Sequence, residues 1–221
     1  MNKKNKIILL TLLFSFVVIL FSNTTTKSRA AEGDAPSVFY LMVFICRSII
    51  GMLALPILYI KFFLKRPVGD FGFRMPENIK DALLFIGITV FAALPVLILF
   101  SANSSFWNLY SYNGLSFYNV IFQMVILTAV YFVAEEFMFR GFLLFSLREA
   151  YGYWGILLAN IIFTLFHLAK PMPEVALAFF SGLAFSYLAI RSKSYLVAAG
   201  AHYAIALILN LIINFYWLAG F

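Results

Sequence analysis

The chain predicts an all-α fold, a polytopic membrane helix bundle of about seven transmembrane helices. Three observations carry that expectation. Hydrophobic residues fill 64% of the 221 positions and charged residues only 11%, which leaves too little polar surface for a water-soluble domain of this size. Apolar runs near the roughly 20 residues a spanning helix needs recur between breaks of Gly, Pro and charge. The basic residues also divide unevenly between the two sides that those runs define.

Taken in order, helices are expected at 6–22, 38–64, 80–101, 118–149, 153–169, 174–190 and 195–219. The first follows Lys3, Lys4 and Lys6. It fits a short transmembrane helix or a signal peptide with a small-residue site at Ser28-Arg29-Ala30. Its run trails off through Ser and Thr rather than ending at a sharp cleavage box, which favours a retained helix. Residues 1–37 thus form an N-terminal transmembrane or signal-like helix with an exterior linker, and 38–221 form the bundle. The second run holds Arg47 and the single Cys46, which can form no intramolecular disulfide and is expected to pack as a small buried residue.

Between the second and third runs, Arg66-Pro-Val-Gly-Asp-Phe-Gly-Phe-Arg74-Met-Pro76 is broken by Gly and Pro. Phe71 and Phe73 lie among its charged residues, as in an anchor at the lipid headgroups. An uncharged loop with Trp107, Tyr110, Tyr112 and Tyr118 follows the third run. Tyr151, Tyr153 and Trp154 mark a turn on the opposite side, as aromatic belts do. Threading from a cytoplasmic N-terminus places twelve of the sixteen Lys and Arg toward the cytoplasm, with Lys27, Arg29 and Lys170 outside and Arg47 in a span. The protein reads as integral and multi-pass, and its net charge of +7 reports topology rather than nucleic-acid binding.

The chemistry lies in Tyr131-Phe-Val-Ala-Glu135-Glu136-Phe-Met-Phe-Arg140 and in the only two histidines, His167 and His202. Carboxylates in hydrocarbon are costly, so intramembrane acids point to function. Glu136 and Arg140 are one helical turn apart and can pair. Glu135 is rotated by about 100° from Glu136 on an ideal helix and has no cation at helical spacing, which suits a general base. Imidazole and carboxylate are ligands for zinc, with an open position for water, and a bound metal would generate hydroxide near neutral pH. His167, His202 and Glu135 are the candidate ligands. The chain has no His-Glu-x-x-His run and no Gly-x-Ser-x-Gly elbow, which excludes a single-helix zincin site and a serine hydrolase of that type. A transporter using the buried acids would predict inverted repeats, and none is evident.

Glu135-Glu136-x-x-x-Arg140, then Phe163-x-x-x-His167, then His202 late in the chain resemble the CPBP family (CAAX protease and bacteriocin-processing, also called Abi) of intramembrane endopeptidases. That family includes the type II CAAX prenyl endopeptidase. Gly72-Phe-Arg74 resembles its segment before a transmembrane helix. The resemblance covers roughly 71–214. It implies a membrane protease, related to metalloproteases in its ligand types, in which Glu135 activates water. Glu136 and Arg140 would support it, and His167 and His202 would bind metal or stabilise the oxyanion. The implied partners are membrane lipids and a protein or peptide substrate, prenylated or a bacteriocin precursor, at a bacterial cell membrane.

One position departs from the pattern. The family has Asn four residues after its last histidine, where this chain has Ala206, so a catalytically inactive member acting as a bacteriocin-immunity or scaffold protein is the alternative. The threading also sets Glu135 and His202 toward one membrane face and His167 near the other. Either the long 118–149 helix is shifted along the bundle or Lys170-Pro-Met-Pro173 is a re-entrant turn.

Overall fold

The computed structural model describes residues 3–23, 38–111 and 117–218. The exterior linker with Lys27 and the Ser28–Ala30 site, and Tyr112 with Gly114-Leu-Ser116, lie outside these. Eight helices are described: α1 (Lys3–Asn23), α2 (38–64), α3 (Ile79–Ser101), α4 (Ser104–Tyr110), α5 (Phe117–Tyr151), α6 (Tyr153–Phe166), α7 (Met172–Ser192) and α8 (Tyr195–Leu218). No strand occurs among the described residues. Five segments, Met42–Leu64, α3, α5, α7 and Tyr195–Asn214, are long and apolar enough to cross a membrane. The chain is an all-α polytopic membrane bundle. The other two apolar helices fall short, since the 14 residues of α6 reach only about 21 Å.

Short polar caps set several boundaries. The Asn78 side chain accepts from the Lys80 and Asp81 amides at the start of α3. Asn103 accepts from Ser105 N at 2.9 Å and starts α4, a helix that lies in the loop read from sequence. Such caps satisfy amides with no partner in the first turn. The core is aromatic. Phe14 of α1 stacks on Tyr59 at 4.5 Å and meets Phe142 at 5.8 Å, so α1 packs against α2 and α5. Cys46, expected to be buried, is instead exposed on the outer surface of α2.

Stagger between α5 and α8 positions the site. Gly155 presses on α5 so closely that a Cβ there would lie 2.0 Å from Leu147 O, which makes α5 and α6 a tight hairpin. Tyr195, which opens α8, packs its ring 5.1 Å from Phe137. About 20 Å of α5 therefore runs past the start of α8, and residues 135–140 come level with the second turn of α8 and the end of α6. The long helix is displaced along the bundle, as one of the two alternatives required.

Residues 66–77 fill the space left by the stagger. Arg66 Nη1 bonds Glu149 Oε2 at 2.6 Å, Phe71 is buried against Phe142, and Gly72 O accepts from Tyr195 N at 3.3 Å. Gly72 has φ +75°, and Phe145 Cε2 lies 2.9 Å from where its Cβ would be, so a side chain here meets both strain and a clash. Arg74 Nε donates to Lys193 O at 3.0 Å, and the Ser194 hydroxyl donates to Arg74 O. The segment is a strap packed on the protein through Phe71, with Phe73 and Met75 left exposed.

Candidate active site

Helix α5 delivers both acids, and its geometry changes next to them. The α-helical stretch Thr128–Glu136 gives way to a π-helical turn, Phe137–Leu143, a widened geometry that recurs at functional sites. Every residue from 134 to 144 is buried. Arg140 Nη1 donates to Glu136 Oε1 at 3.1 Å, so the pair expected from spacing forms, with both side chains no more than 1% exposed. His202 Nδ1 lies 2.7 Å from the same Oε1 and 3.8 Å from Glu135 Oε1. The two carboxylates leave α5 in different directions, and the imidazole sits where both can reach it.

A ring of aromatics fixes these groups. The Arg140 guanidinium lies 3.7 Å from the centroid of Phe163 and 5.5 Å from that of Phe185, a cation–π arrangement that strengthens on burial. The His202 ring is 4.0 Å from Phe132 and 4.9 Å from Phe185. Phe163 also contacts His167, at 4.5 Å, and stands 6.2 Å from His202. It thus touches both imidazoles.

The structure brings Glu135, Glu136 and His202 together, with candidate ligand atoms all within 4.8 Å of one another. His167 is not part of that group. Its Nδ1 lies 3.0 Å from Phe163 O. Because a carbonyl oxygen only accepts, His167 Nδ1 carries the proton. His202 Nδ1 faces Glu136 Oε1, the oxygen that also accepts from Arg140.

Sequence reasoning missed the groups behind Arg140. Asn160 of α6 is 1% exposed, and its Nδ2 donates to Phe179 O at 3.0 Å. A Cβ on Gly182 would meet Asn160 Oδ1 at 2.1 Å and Arg140 Nη2 at 3.0 Å, so α7 must carry glycine where the guanidinium and the amide come together. The available signal was a lone Asn in an apolar run, seven residues before His167 and hence on the same helix face.

Two carboxylates against one guanidinium leave one negative charge, which a buried site balances with a proton or a cation. Glu135 Oε1, Glu136 Oε2 and Arg140 Nη2 are buried without a hydrogen-bond partner. Glu135, Glu136 and His202, whose candidate ligand atoms lie within 4.8 Å of one another, form a donor set of oxygen and nitrogen that fits a divalent metal with three protein ligands and one open position.

The fold and this cluster define an integral membrane protein with a buried carboxylate–histidine site assembled from four helices. Residues 117–208 match the model of the family described as "Type II CAAX prenyl endopeptidase Rce1-like". The resemblance read from the motifs thus holds over the segment that carries Glu135, Glu136, Arg140, His167 and His202. The 72–74 segment lies outside the matched span. Neither the curated proteins nor the solved structures contain a match.

Proposed function

We propose that the protein is an intramembrane endopeptidase that hydrolyses a peptide bond of a membrane-associated or lipidated protein or peptide. One observation carries the reading: Glu135 is 1% exposed with Oε1 unpartnered, beside a second carboxylate already held by Arg140 and His202. Glu135 Oε1 accepts no hydrogen bond, whereas Glu136 Oε1 already accepts two.

In this mechanism Glu135 takes a proton from water as the water oxygen adds to the scissile carbonyl carbon. The same proton then passes to the amide nitrogen as the carbon–nitrogen bond breaks. Glu136 holds His202 through Nδ1 and so orients the imidazole, while Arg140 fixes the Glu136 carboxyl in place. Glu135, Glu136 and His202 would hold a divalent metal such as zinc, which would polarise the carbonyl and the attacking water. A histidine pinned through Nδ1 by a carboxylate has the orientation that metal-binding histidines use. His167, fixed the same way by Phe163 O, is assigned to substrate or oxyanion contact rather than to the ligand triad.

The matched family's description supports a CAAX-type, prenylated substrate, and a bacteriocin precursor is a second class. We place the N-terminus in the cytoplasm of a bacterial cell, on the distribution of Lys and Arg.

A non-catalytic reading, as an immunity or scaffold protein, is favoured by Ala206. The Asn210 side chain does not replace the missing amide, because its Nδ2 is tied to Ala206 O at 2.8 Å. Glu135→Gln, nearly isosteric, separates the two. With a membrane-anchored prenyl peptide as probe, hydrolysis falls by about 10²–10⁴-fold in an enzyme while the unfolding midpoint in detergent is retained. Wild-type protein inert on lipidated and leader-type peptides alike, with biological function surviving Glu135→Gln, would establish the scaffold.

A further inference from the structure

At the strap end of the bundle, three helices enclose a second space. A cavity of about 720 Å³ opens between the end of α5, the start of α6, the last turns of α7 and the strap. That volume lies within the roughly 300–1,000 Å³ of small-molecule sites. No group of the acid cluster lines it. The turn that joins α5 to α6 leaves room there, since a Cβ on Gly152 would meet nothing within 4 Å.

The cavity is a groove with an apolar length and a charged mouth. Leu183, Tyr187 and Ile190 of α7 line it at helical spacing and form one wall, as residues on one helix face do. Phe145 of α5 and Ile156 of α6 supply the others. From Ile190 to Leu183 the wall runs about 10 Å, and Leu183 stands near the middle of the candidate span Met172–Ser192. The groove therefore reaches from the end of the helices into the hydrocarbon. Tyr153 and Trp154, both exposed, stand at its mouth in the manner of an interfacial aromatic belt.

Charges at the mouth are unevenly satisfied. Arg66 Nη1 bonds Glu149 Oε2 at 2.6 Å, and Arg66 Nη2 bonds Asp70 Oδ2 at 3.2 Å. One guanidinium thus serves two carboxylates, so one negative charge is in surplus, and each carboxylate keeps an open oxygen. Arg148 also lines the groove, and its side chain makes no hydrogen bond or ion pair among the described residues. An unpaired cation and a surplus anion therefore stand on consecutive residues, at the depth where lipid headgroups lie.

We propose that this groove binds one zwitterionic, amine-bearing phospholipid. Its phosphate sits on Arg148, its primary ammonium on Asp70 and Glu149, and an acyl chain lies along α7 as far as Leu183. A guanidinium is suited to bidentate contact with phosphate, and an ammonium supplies the N–H donors that the open carboxylate oxygens lack. An anionic headgroup would satisfy Arg148 but meet the surplus carboxylate charge. A choline headgroup brings no N–H to the open oxygens.

Native mass spectrometry of the full chain in detergent tests the site. Phosphatidylethanolamine, phosphatidylcholine and phosphatidylglycerol with identical acyl chains are supplied in equal amounts. One phosphatidylethanolamine per chain should be retained about tenfold in preference to the other two, the scale of one hydrogen bond to a charged group. Arg148→Gln should lower its retention about tenfold for the same reason. Glu149→Gln should reduce the preference over phosphatidylcholine, and Leu183→Trp should exclude the lipid by filling the groove. All three residues are exposed, so the unfolding midpoint should hold in each variant.

Equal retention of the three lipids, preference for either of the other two, or retention unchanged by both Arg148→Gln and Leu183→Trp overturns the proposal. So does a lipid-free dimer, which would make the groove an interface between copies. Displacement of the lipid by an equal amount of the membrane-anchored prenyl peptide would likewise overturn it and assign the groove to substrate. Binding is read without turnover, so an inert protein that retains the lipid counts against the protease reading alone.

Discussion

A single carboxylate oxygen, Glu136 Oε1, accepts from both Arg140 Nη1 at 3.1 Å and His202 Nδ1 at 2.7 Å. One atom therefore joins α5 to α8 and fixes the imidazole orientation. Taking both charges out of water is costly, and the pairing of Arg140 with Glu136 offsets part of that cost.

Removing the cation should therefore be severe. Arg140→Ala leaves Glu136 buried without its guanidinium and should cost about 3–5 kcal/mol of stability. Denaturant unfolding in detergent measures it. The double variant Arg140→Met with Glu136→Gln removes both charges and should recover most of that loss. A cost near zero for Arg140→Ala alone would mean that the network does not hold the fold.

Metal binding distinguishes the two histidines. Zinc titrated into detergent-solubilised protein should bind at about one ion per chain. Binding should be abolished by His202→Ala and by Glu135→Ala and retained in His167→Ala, because His167 lies outside the cluster of ligand atoms. Loss of zinc in His167→Ala with unchanged folding would bring that residue into the ligand set.

Gly182 is an independent handle on Arg140. A Cβ there would lie 2.1 Å from Asn160 Oδ1 and 3.0 Å from Arg140 Nη2, so Gly182→Ala must push the amide out of place and crowd the guanidinium. Overpacking of this kind costs about 1–3 kcal/mol. Turnover should fall more than substrate affinity, since the displaced groups orient Glu136 rather than bind substrate. Kinetics with wild-type turnover would show that the placement of Asn160 and Arg140 beside Gly182 is not needed.

The strap predicts a small acid sensitivity. Lys193 Nζ donates to Glu77 Oε1 at 3.0 Å, and that hydrogen bond holds the Glu77 carboxyl below its ordinary range. A depressed carboxylate contributes stability above its unfolded pKa and loses it as pH falls through the folded value. The contribution should be full at neutral pH and vanish in acid below about 4.5, the ordinary glutamate value. Glu77→Gln should flatten that part of the stability–pH curve. At neutral pH it should change the unfolding midpoint little, because both side chains are more than half exposed and exposed pairs are weak.

Much of this was legible in the residues themselves. Apolar runs and their Gly, Pro and polar breaks placed seven helices within a few residues of their observed bounds, because backbone satisfaction in lipid leaves a long apolar run no alternative to helix. The Glu136–Arg140 pair followed from helical spacing. Arg140, counted by sequence among the topology-reporting cations, is instead locked in the site, a distinction that spacing along one helix cannot make. The burial of Phe71 in the strap was hidden for a similar reason, since alternation of Phe with charge looks the same at a headgroup surface as against a protein wall.

Sequence alone therefore determined that the chain crosses a membrane as helices and carries two acids and two histidines in its apolar segments, because hydropathy and local spacing are properties of single runs. Only the tertiary structure decided which of those groups meet. The stagger of α5 past α8, set by Gly155 on Leu147 and by Tyr195 against Phe137, brings Glu135, Glu136 and His202 level and leaves His167 behind Phe163. Axial offsets between helices depend on how side chains interlock across them, and that information is distributed over residues far apart in the chain.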